Sequence, residues 1–321
     1  MSSCSRPIDV FQRSAGHAYL VPCGKCAECL ERKRQQWILR AQYAFREYKN
    51  RYFITLSYDD AFLPYESYSR KKDGKPYNPV STGEAVLHPY DLRKFFERFR
   101  IYSGCKFAYF ACGEYGSQVN THRPHYHICL FCDLPWNEVL KYVRLAWSRL
   151  VPETKDERKK RYCLSKRLGK PIKRDASDMH NRVSFGRDQV RCLTFKRITY
   201  VSKYVTKQLG SNEVVPTFYR VSNGLGKSFL ESVECKILKE ANQHYAYLQS
   251  GLPCALPRYY SIRMFTAKQM EVFQLKMIEA VWPFEGEVSV ECIKSWLENK
   301  INRDAVKHRM KNLRFQGVRL L

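Results

Sequence analysis

The segment that most constrains the fold is His125-Tyr126-His127, which apolar residues follow along the chain. Side chains of a β-strand alternate between two faces, so the two imidazoles lie on one face and the Tyr126 ring lies on the other. The segment therefore predicts a strand that presents two histidines side by side.

Two adjacent imidazoles suggest a cation site. Neutral imidazole suits Mn²⁺, and it is acceptable for Mg²⁺ beside water and a carboxylate. Such a site needs a third ligand, and Glu114 lies on the strand expected before the histidines. A hairpin through residues 116–124 would bring Glu114 beside His125 or His127, with His122 in the turn as the rival ligand. The alternative is a pair of histidines with ordinary partners on a sheet face.

A second pattern is Tyr200-Val201-Ser202-Lys203-Tyr204, with Lys207 following. Tyr200 and Tyr204 are four residues apart, as are Lys203 and Lys207, so a helix places all four on one stripe. A dry core would resist the interleaved lysines. Lysines beside a phenol favour the phenolate, which is the attacking form, and they could neutralise charge on a phosphorane. Core packing of the tyrosines is the alternative.

Together the two patterns supply what an enzyme that nicks and joins DNA requires: a bound cation and a tyrosine nucleophile. Charge agrees with this interpretation, because 56 Lys+Arg against 31 Asp+Glu give a formal net charge of +25. Such an excess favours a polyanionic partner, since phosphate neutralisation drives nucleic-acid binding. A basic membrane-surface protein is the competing class. No segment approaches the roughly 20 apolar residues that span a bilayer, and no apolar signal-peptide core is visible, so we expect an intracellular protein without a membrane partner.

Cysteines form a third pattern, because Cys23, Cys26 and Cys29 are spaced by two residues and Cys4 lies upstream. In a reducing compartment such clusters indicate a metal before disulfides. Four thiolates suit a structural Zn²⁺. The spacing is also similar to an iron–sulfur run, although the downstream Cys-Pro of that run is missing.

Periodicity gives the expected element order, which is strand, helix, strand, strand, helix, strand, helix after an N-terminal basic helix. Helices are expected over residues 27–49, from an N-cap at Asp91, and over residues 136–150, 197–209, 267–281 and 289–312. Strands are expected over residues 52–57, 105–112, 125–131 and 183–190. The basic segment 153–182 is expected to be an exposed loop over DNA, or a solvated loop without contacts. The order suits an α+β sandwich with an antiparallel sheet.

The chain resembles a known family through five motifs in the family's order. They are Pro22-Cys23-Gly24-Lys25-Cys26-Ala27-Glu28-Cys29, Phe53-Ile54-Thr55-Leu56-Ser57-Tyr58-Asp59-Asp60, Gly113-Glu114-Tyr115-Gly116, Arg123-Pro124-His125-Tyr126-His127 and Tyr200-Val201-Ser202-Lys203-Tyr204-Val205-Thr206-Lys207. The later Leu256-Pro257-Arg258-Tyr259-Tyr260 is also similar. The family is that of the rolling-circle replication initiators of the Microviridae, gokushovirus type, within the HUH endonuclease superfamily.

This resemblance implies a ferredoxin-like α+β sandwich with a central antiparallel sheet, flanking helices and a helical C-terminal extension. It implies a Cys-rich segment and basic helix over residues 1–50, an HUH nuclease core over 51–210 and an accessory region over 211–321. The implied activity is Mg²⁺- or Mn²⁺-dependent nicking and joining of a single-stranded DNA origin through a 5′-phosphotyrosine, in the host bacterial cytoplasm. A host DNA polymerase would extend the 3′-OH. Many relatives carry one clearly placed tyrosine, whereas this chain has two; we expect Tyr204, which lies between both lysines, to attack first.

Two other classes remain from the residues alone. One is a non-catalytic basic DNA-binding or packaging protein. The other is a cupin-like metal oxygenase, which requires a glutamate about four residues after the second histidine, where this chain has Phe131. The turn before Lys227 fails the spacing of a phosphate-binding loop because position 221 is Val. No ATP site is therefore expected, which implies a host helicase.

Overall fold

The computed structural model describes Cys4 and residues 8–12, 17–65, 85–116, 122–173, 175, 177–207, 215–270 and 272–273. These residues form two compact units. One comprises residues 44–225, and the other comprises the described residues within 1–43 and 226–321.

The strands are short except in the central sheet. They are Ile8–Gln12 (β1), His17–Val21 (β2), Asn50–Ser57 (β3), Phe107–Tyr115 (β4), Pro124–Cys132 (β5), Ser148–Leu150 (β6), Arg182–Ser184 (β7), Asp188–Cys192 (β8), Phe218–Val221 (β9), Tyr245–Tyr247 (β10) and Pro253–Ala255 (β11). The α-helices are Ala27–Glu47 (α1), Pro89–Ser103 (α2), Trp136–Ala146 (α3), Lys155–Arg167 (α4), Phe195–Ser202 (α5), Val233–Glu240 (α6) and Arg258–Met264 (α7).

The unit of residues 44–225 is built on a five-stranded sheet of order β8-β3-β5-β4-β9, in which every neighbouring pair is antiparallel. The predicted α+β class with a central antiparallel sheet is therefore confirmed. The histidine strand β5 lies at the centre, between β3 and β4. Both of its edges are hydrogen-bonded, which fixes the register of the residues it carries.

The two faces of β5 differ as the alternation predicts. Tyr126, Ile128 and Leu130 are fully buried on one face, in a core that α2 and α3 complete. Phe95 and Trp147 are among the fully buried aromatic residues of this core. The opposite face carries the histidines, which are only partly buried.

A buried hydrogen-bond network fixes the loop that precedes α2 to the core face of β5. The Tyr126 hydroxyl lies 2.8 Å from the Tyr58 hydroxyl, accepts from the His88 N–H at 3.1 Å and donates to the His88 carbonyl at 2.9 Å. Tyr58 donates to Asp91 at 2.8 Å. Burial raises the pKa of both phenols well above the ordinary value, so both stay neutral donors.

Several boundaries differ from the sequence expectation. Helix α2 begins at Pro89, and Asp91 lies in its first turn rather than at the N-cap; proline suits this position because its missing N–H has no helical partner there. Helix α3 ends at Ala146, after which the chain forms β6. The single strand expected over residues 183–190 is divided into β7 and β8.

The expectation of a loop over residues 153–182 is wrong for its first half, which forms α4. The Thr154 side chain accepts from the Glu157 N–H, and the Glu157 carboxylate accepts from the Thr154 N–H, so a capping box starts the helix. None of the α4 residues is buried, which explains why apolar periodicity did not reveal the helix.

The other unit contains α1, whose predicted span of residues 27–49 is confirmed to within two residues. Leu39 and Tyr43 of α1 are buried with Phe229 and Tyr260 in a second core. Gly226 has a positive φ of 65°, and an added Cβ would lie 2.2 Å from the Arg40 carbonyl oxygen, so this close approach requires glycine.

Two expected C-terminal helices fall largely beyond the described residues. Residues 267–270 are helical, as predicted, while the remainder of the 267–281 helix past residue 273, and the whole of 289–312, lie outside them. Among the helices that the structure describes, none combines the length and the apolar character needed to cross a membrane.

Candidate metal and tyrosine site

The two histidines and the glutamate meet because of strand register. In the β4–β5 hairpin Glu114 is paired with His125, and Cys112 is paired with His127. Side chains directly across an antiparallel pair are close enough to touch. Glu114 Oε1 lies 2.9 Å from His125 Nε2 and 2.7 Å from His127 Nε2. The expected third ligand is thus placed beside both imidazoles.

The rival ligand is elsewhere. The His122 ring stacks on Tyr115 with 4.8 Å between ring centroids. Among the described residues, the group around these histidines that could hold a metal ion consists of Glu114, His125 and His127, whose ligand atoms all lie within 4.8 Å of one another.

The far nitrogen of each imidazole has a partner that orients the ring. His125 Nδ1 lies 3.1 Å from the Arg123 carbonyl oxygen, and His127 Nδ1 lies 3.0 Å from Thr55 Oγ1. A carbonyl only accepts, so His125 donates from Nδ1, which leaves Nε2 directed at Glu114. Sequence reasoning did not identify Thr55. Its signal was its position on β3, where it pairs with His127.

Electrostatics of the cluster favour an ionised Glu114. Burial acts to raise the pKa of this carboxyl group, but hydrogen bonds from His125, His127 and Tyr200 outweigh burial and lower the pKa to about 2. Burial acts to lower the pKa of His125, but the bond to Glu114 raises it overall. The cluster is therefore a buried negative charge held by donors that a cation could replace.

The donor set fits a divalent cation. Two imidazole nitrogens and one carboxylate oxygen on a single sheet face match the ligands that Mn²⁺ accepts, and that Mg²⁺ accepts when water completes its shell. Only three protein atoms converge in the part of the chain that the structure describes, so positions remain for a substrate oxygen and water.

Tyr200 extends this cluster. It lies in the last turn of α5, and its hydroxyl donates to Glu114 Oε1 at 2.6 Å. The Tyr200 ring packs edge-on against His127, with 5.4 Å between centroids. The side chains of α5 thus reach the histidine face of β4 and β5.

Tyr204 lies one position further from the cluster. The helix tightens to a 3-10 turn over Lys203–Val205, and the Tyr204 hydroxyl donates to the Tyr200 hydroxyl at 3.1 Å. Tyr204 is 2% exposed, whereas Tyr200 is 36% exposed. Of the two phenols, Tyr200 is both nearer to Glu114 and more accessible.

The lysines lie over the tyrosine rings. Lys203 Nζ is 5.9 Å from the Tyr200 ring centroid, and Lys207 Nζ is 4.7 Å from the Tyr204 ring centroid. We expected them to favour the phenolate, but the pKa of Tyr200 is raised well above its ordinary value, because burial and the bond to Glu114 both oppose ionisation. In this state the phenol is therefore a neutral donor, and it must lose the bond to Glu114 before it can ionise readily.

The cysteines form a second group that could hold a metal ion. The sulfur atoms of Cys4, Cys23, Cys26 and Cys29 all lie within 4.8 Å of one another. Burial acts to raise the pKa of the Cys23 thiol, but N–H donors from Lys25 and Cys26 lower it to about 7.

Fold and site together define an α+β protein with an HUH-like fold, in which an antiparallel sheet presents a histidine–tyrosine–histidine strand beside a tyrosine helix. Comparison with known proteins gives the family. Residues 51–209 match the model of the replication-associated protein ORF2 family. Replication-associated protein ORF2 of Spiroplasma virus 4 is 30% identical over 261 residues, which cover 79% of this chain and 70% of that protein.

Two further relatives agree. Replication-associated protein VP4 of Bdellovibrio phage phiMH2K is 23% identical over 261 residues, which cover 76% of this chain and 67% of that protein. Replication-associated protein ORF4 of Chlamydia phage 1 is 24% identical over 135 residues, which cover 41% of this chain and 29% of that protein. The chain belongs to the replication-associated proteins of the Microviridae, which confirms the resemblance drawn from its motifs.

Proposed function

We propose that this protein is a site-specific single-stranded DNA endonuclease and strand-joining enzyme that starts and ends rolling-circle replication of a phage genome. One observation carries the proposal: the Tyr200 hydroxyl and both imidazoles converge on one oxygen of Glu114. A nucleophile and a candidate cation site therefore share one point on the sheet face.

Glu114, His125 and His127 are the residues that would hold Mg²⁺ or Mn²⁺. When bound, the cation would act as a Lewis acid on the scissile phosphodiester. The protein's own contribution is positioning. Arg123 and Thr55 orient the imidazoles, and the paired register of β4 and β5 fixes Glu114 between them.

Tyr200 is the first nucleophile in this proposal, in place of the Tyr204 expected from the sequence. As its proton leaves, the phenol oxygen attacks phosphorus, a tyrosine–phosphate bond forms at the 5′ end, and the bond to the 3′ oxygen breaks. Two such transesterifications conserve bond energy, so joining needs no ATP. Tyr204, in hydrogen-bond contact with Tyr200, would perform the second cleavage. Lys203 and Lys207 would offset charge on the phosphorane oxygens.

The partners follow from the same proposal. The substrate is a single-stranded DNA origin, and the formal charge of +25 favours its binding. Residues 51–210 would form the nuclease core, with residues 1–50 and 211–321 as accessory segments. A host helicase would unwind DNA and a host DNA polymerase would extend the 3′-OH, so the reaction would take place in the host bacterial cytoplasm.

The test is covalent capture. The full-length protein is incubated with Mn²⁺ and an end-labelled single-stranded origin oligonucleotide, and denaturing gels are examined for a protein–DNA adduct. We expect the adduct with wild type, and its loss in a variant that combines His125→Ala with His127→Ala and still binds DNA. His180→Ala is the matched control, because that side chain is 96% exposed.

Full adduct formation by the double histidine variant would refute the cation assignment. DNA binding without any adduct in the wild-type protein would favour the non-catalytic DNA-binding or packaging class instead.

A further inference from the structure

We infer that Cys4, Cys23, Cys26 and Cys29 bind one Zn²⁺ that staples the N-terminal hairpin to the start of α1. This site goes beyond the proposed cleavage, because thiolates are poor ligands for Mg²⁺ and Mn²⁺ and form a group separate from the histidines. The inference rests on the positions of the four sulfur atoms and on the backbone that surrounds them.

Sulfur spacing agrees with a single tetrahedral ion. Bonds of about 2.3 Å from zinc to each thiolate place neighbouring sulfur atoms about 3.8 Å apart. Cys4 Sγ and Cys26 Sγ are 3.7 Å apart, and all four ligand atoms lie within 4.8 Å of one another. A disulfide would need about 2.0 Å, and each of these cysteines is free.

The same spacing argues against an iron–sulfur cluster. In such a cluster the four thiolates bind two or four different iron atoms, which spreads them apart. Here all four sulfur atoms converge on one point. A single iron ion with four thiolates has the same shape as the zinc site, and metal analysis separates the two.

Backbone around Cys23 is shaped to receive a thiolate. Gly24 has a positive φ of 73°, and the turn it makes directs the N–H groups of Lys25 and Cys26 at Cys23 Sγ, at 3.4 Å and 3.3 Å. The Cys23 N–H in turn donates to Cys4 Sγ at 3.3 Å. These donors stabilise the negative charge that four thiolates carry in excess of Zn²⁺.

Helix α1 supplies the last ligand. Cys29 is in the first turn of α1, and the Leu30 N–H bonds to the Cys26 carbonyl at 3.0 Å, so the turn that carries Cys26 leads directly into the helix. Arg32 Nη2 donates to Cys29 Sγ at 3.3 Å and places a positive charge beside the cluster.

The consequence is a closed N-terminal finger. Strands β1 and β2 form an antiparallel hairpin between Cys4 and Cys23, and ligation would join both ends of this hairpin to α1. A two-stranded hairpin is marginal on its own, so its order would depend on the bound metal.

The test is metal content of the full-length protein, purified under reducing conditions and measured by mass spectrometry after a brief chelator wash. We expect about one zinc per chain. The variant with His125→Ala and His127→Ala should keep it, which excludes the histidine cluster as the zinc site. The variant with Cys23→Ser and Cys26→Ser should fall to near zero.

Cys163→Ser with Cys192→Ser is the matched control, because both of these cysteines are exposed. Should the Cys23 and Cys26 variant fail to fold, the wild-type protein answers alone. Cobalt substitution should give the near-ultraviolet thiolate-to-metal absorption of a four-sulfur site. Strong chelation should speed hydrogen exchange in β1 and β2 and leave β3, β4 and β5 unchanged.

Three results would overturn the inference. They are a wild-type protein without zinc, a protein that carries iron in its place, and zinc that survives the cysteine substitutions but is lost with the histidines. None of them depends on DNA cleavage, so failure of this inference and failure of the proposed function are distinguishable.

Discussion

The Tyr200 hydroxyl donates a 2.6 Å hydrogen bond to Glu114 Oε1, which joins the end of α5 to strand β4. Glu114 is 5% exposed and Tyr200 is 36% exposed, so the bond links a buried carboxylate to a phenol that solvent and substrate can reach. This contact ranks the two tyrosines, because Tyr204 touches Tyr200 rather than the carboxylate.

Removal of each tyrosine hydroxyl should separate the two cleavage steps. On a suicide oligonucleotide, Tyr200→Phe should reduce adduct formation by a factor on the order of 10³ or more, because the first nucleophile is lost. Tyr204→Phe should keep the first adduct and impair release of the joined circle. The measurement is the yield of covalent adduct and of circular product for each variant. The opposite order, with only Tyr204→Phe inactive in the first step, would contradict our assignment.

Acid should destabilise the metal-free protein through Glu114. Its pKa is lowered from 4.5 to about 2 in the folded state, so its contribution is complete above pH 4.5 and is lost as the pH falls towards 2. A shift of this size corresponds to roughly 3 kcal/mol of unfolding free energy. Glu114→Gln should flatten this part of the curve of unfolding free energy against pH, measured by urea denaturation with chelator present.

The pH control is Glu97→Gln. Glu97 also has a lowered pKa, from bonds to Lys94 and Arg93, but it sits near the surface where solvent screens the charges. His125 acts at the other end of the scale. Its pKa is raised, so its contribution is complete at acidic pH and is lost as the pH rises through the raised value. Equal acid sensitivity of the Glu114 and Glu97 variants would show that the cluster is not ionised as described.

The hydroxyl network behind the histidine strand should be cooperative. Tyr126→Phe removes one partner of both the His88 backbone and Tyr58, and should cost about 1–3 kcal/mol of unfolding free energy. Tyr58→Phe should be non-additive with it, because the two hydroxyls share a bond, with a coupling of about 0.5–3 kcal/mol. Urea denaturation of the two single variants and the double variant measures this. Tyr162→Phe is the control, at 68% exposure, and strict additivity would argue against the shared bond.

Helix α4 should contribute to DNA affinity through charge alone. Lys159 and Lys160 are exposed, and if each meets one phosphate, changing both to Gln should lower the slope of log affinity against log salt by about 2. Anisotropy titrations of a labelled origin oligonucleotide at several salt concentrations give the slope. The same changes at Lys236 and Lys239, which are exposed on α6, provide the control. Equal slopes for both pairs would leave α4 as a solvated helix.

Local pattern alone was enough for several elements. Alternation over His125-Tyr126-His127 predicted the strand and the side on which the imidazoles lie, because side-chain direction in a strand depends only on its period of two. The apolar stripe of α1 and the aromatic run of β3 also predicted their elements, and the hairpin geometry led to Glu114 as the third ligand. Each of these follows from neighbours along the chain.

Helix α4 shows where pattern ended. Its residues bury nothing, so no apolar period marked it, and only the Thr154–Glu157 capping box recorded its start. The division of residues 182–192 into β7 and β8 likewise depends on different partners, since β7 pairs with β6 and β8 pairs with β3.

By itself the sequence determined the family, the α+β class and the chemical types that meet at the site, because motifs and side-chain periods are properties of short segments. Only the tertiary structure decided which tyrosine faces Glu114, since the 3-10 turn at Lys203 and the packing of α5 on the sheet set the distances. It also reversed the expected shift in the pKa of Tyr200, because burial and a carboxylate acceptor outweigh nearby lysines. Cys4 reached the other cysteines for the same reason: a hairpin folds back over many residues, and such long-range closure leaves no local signal.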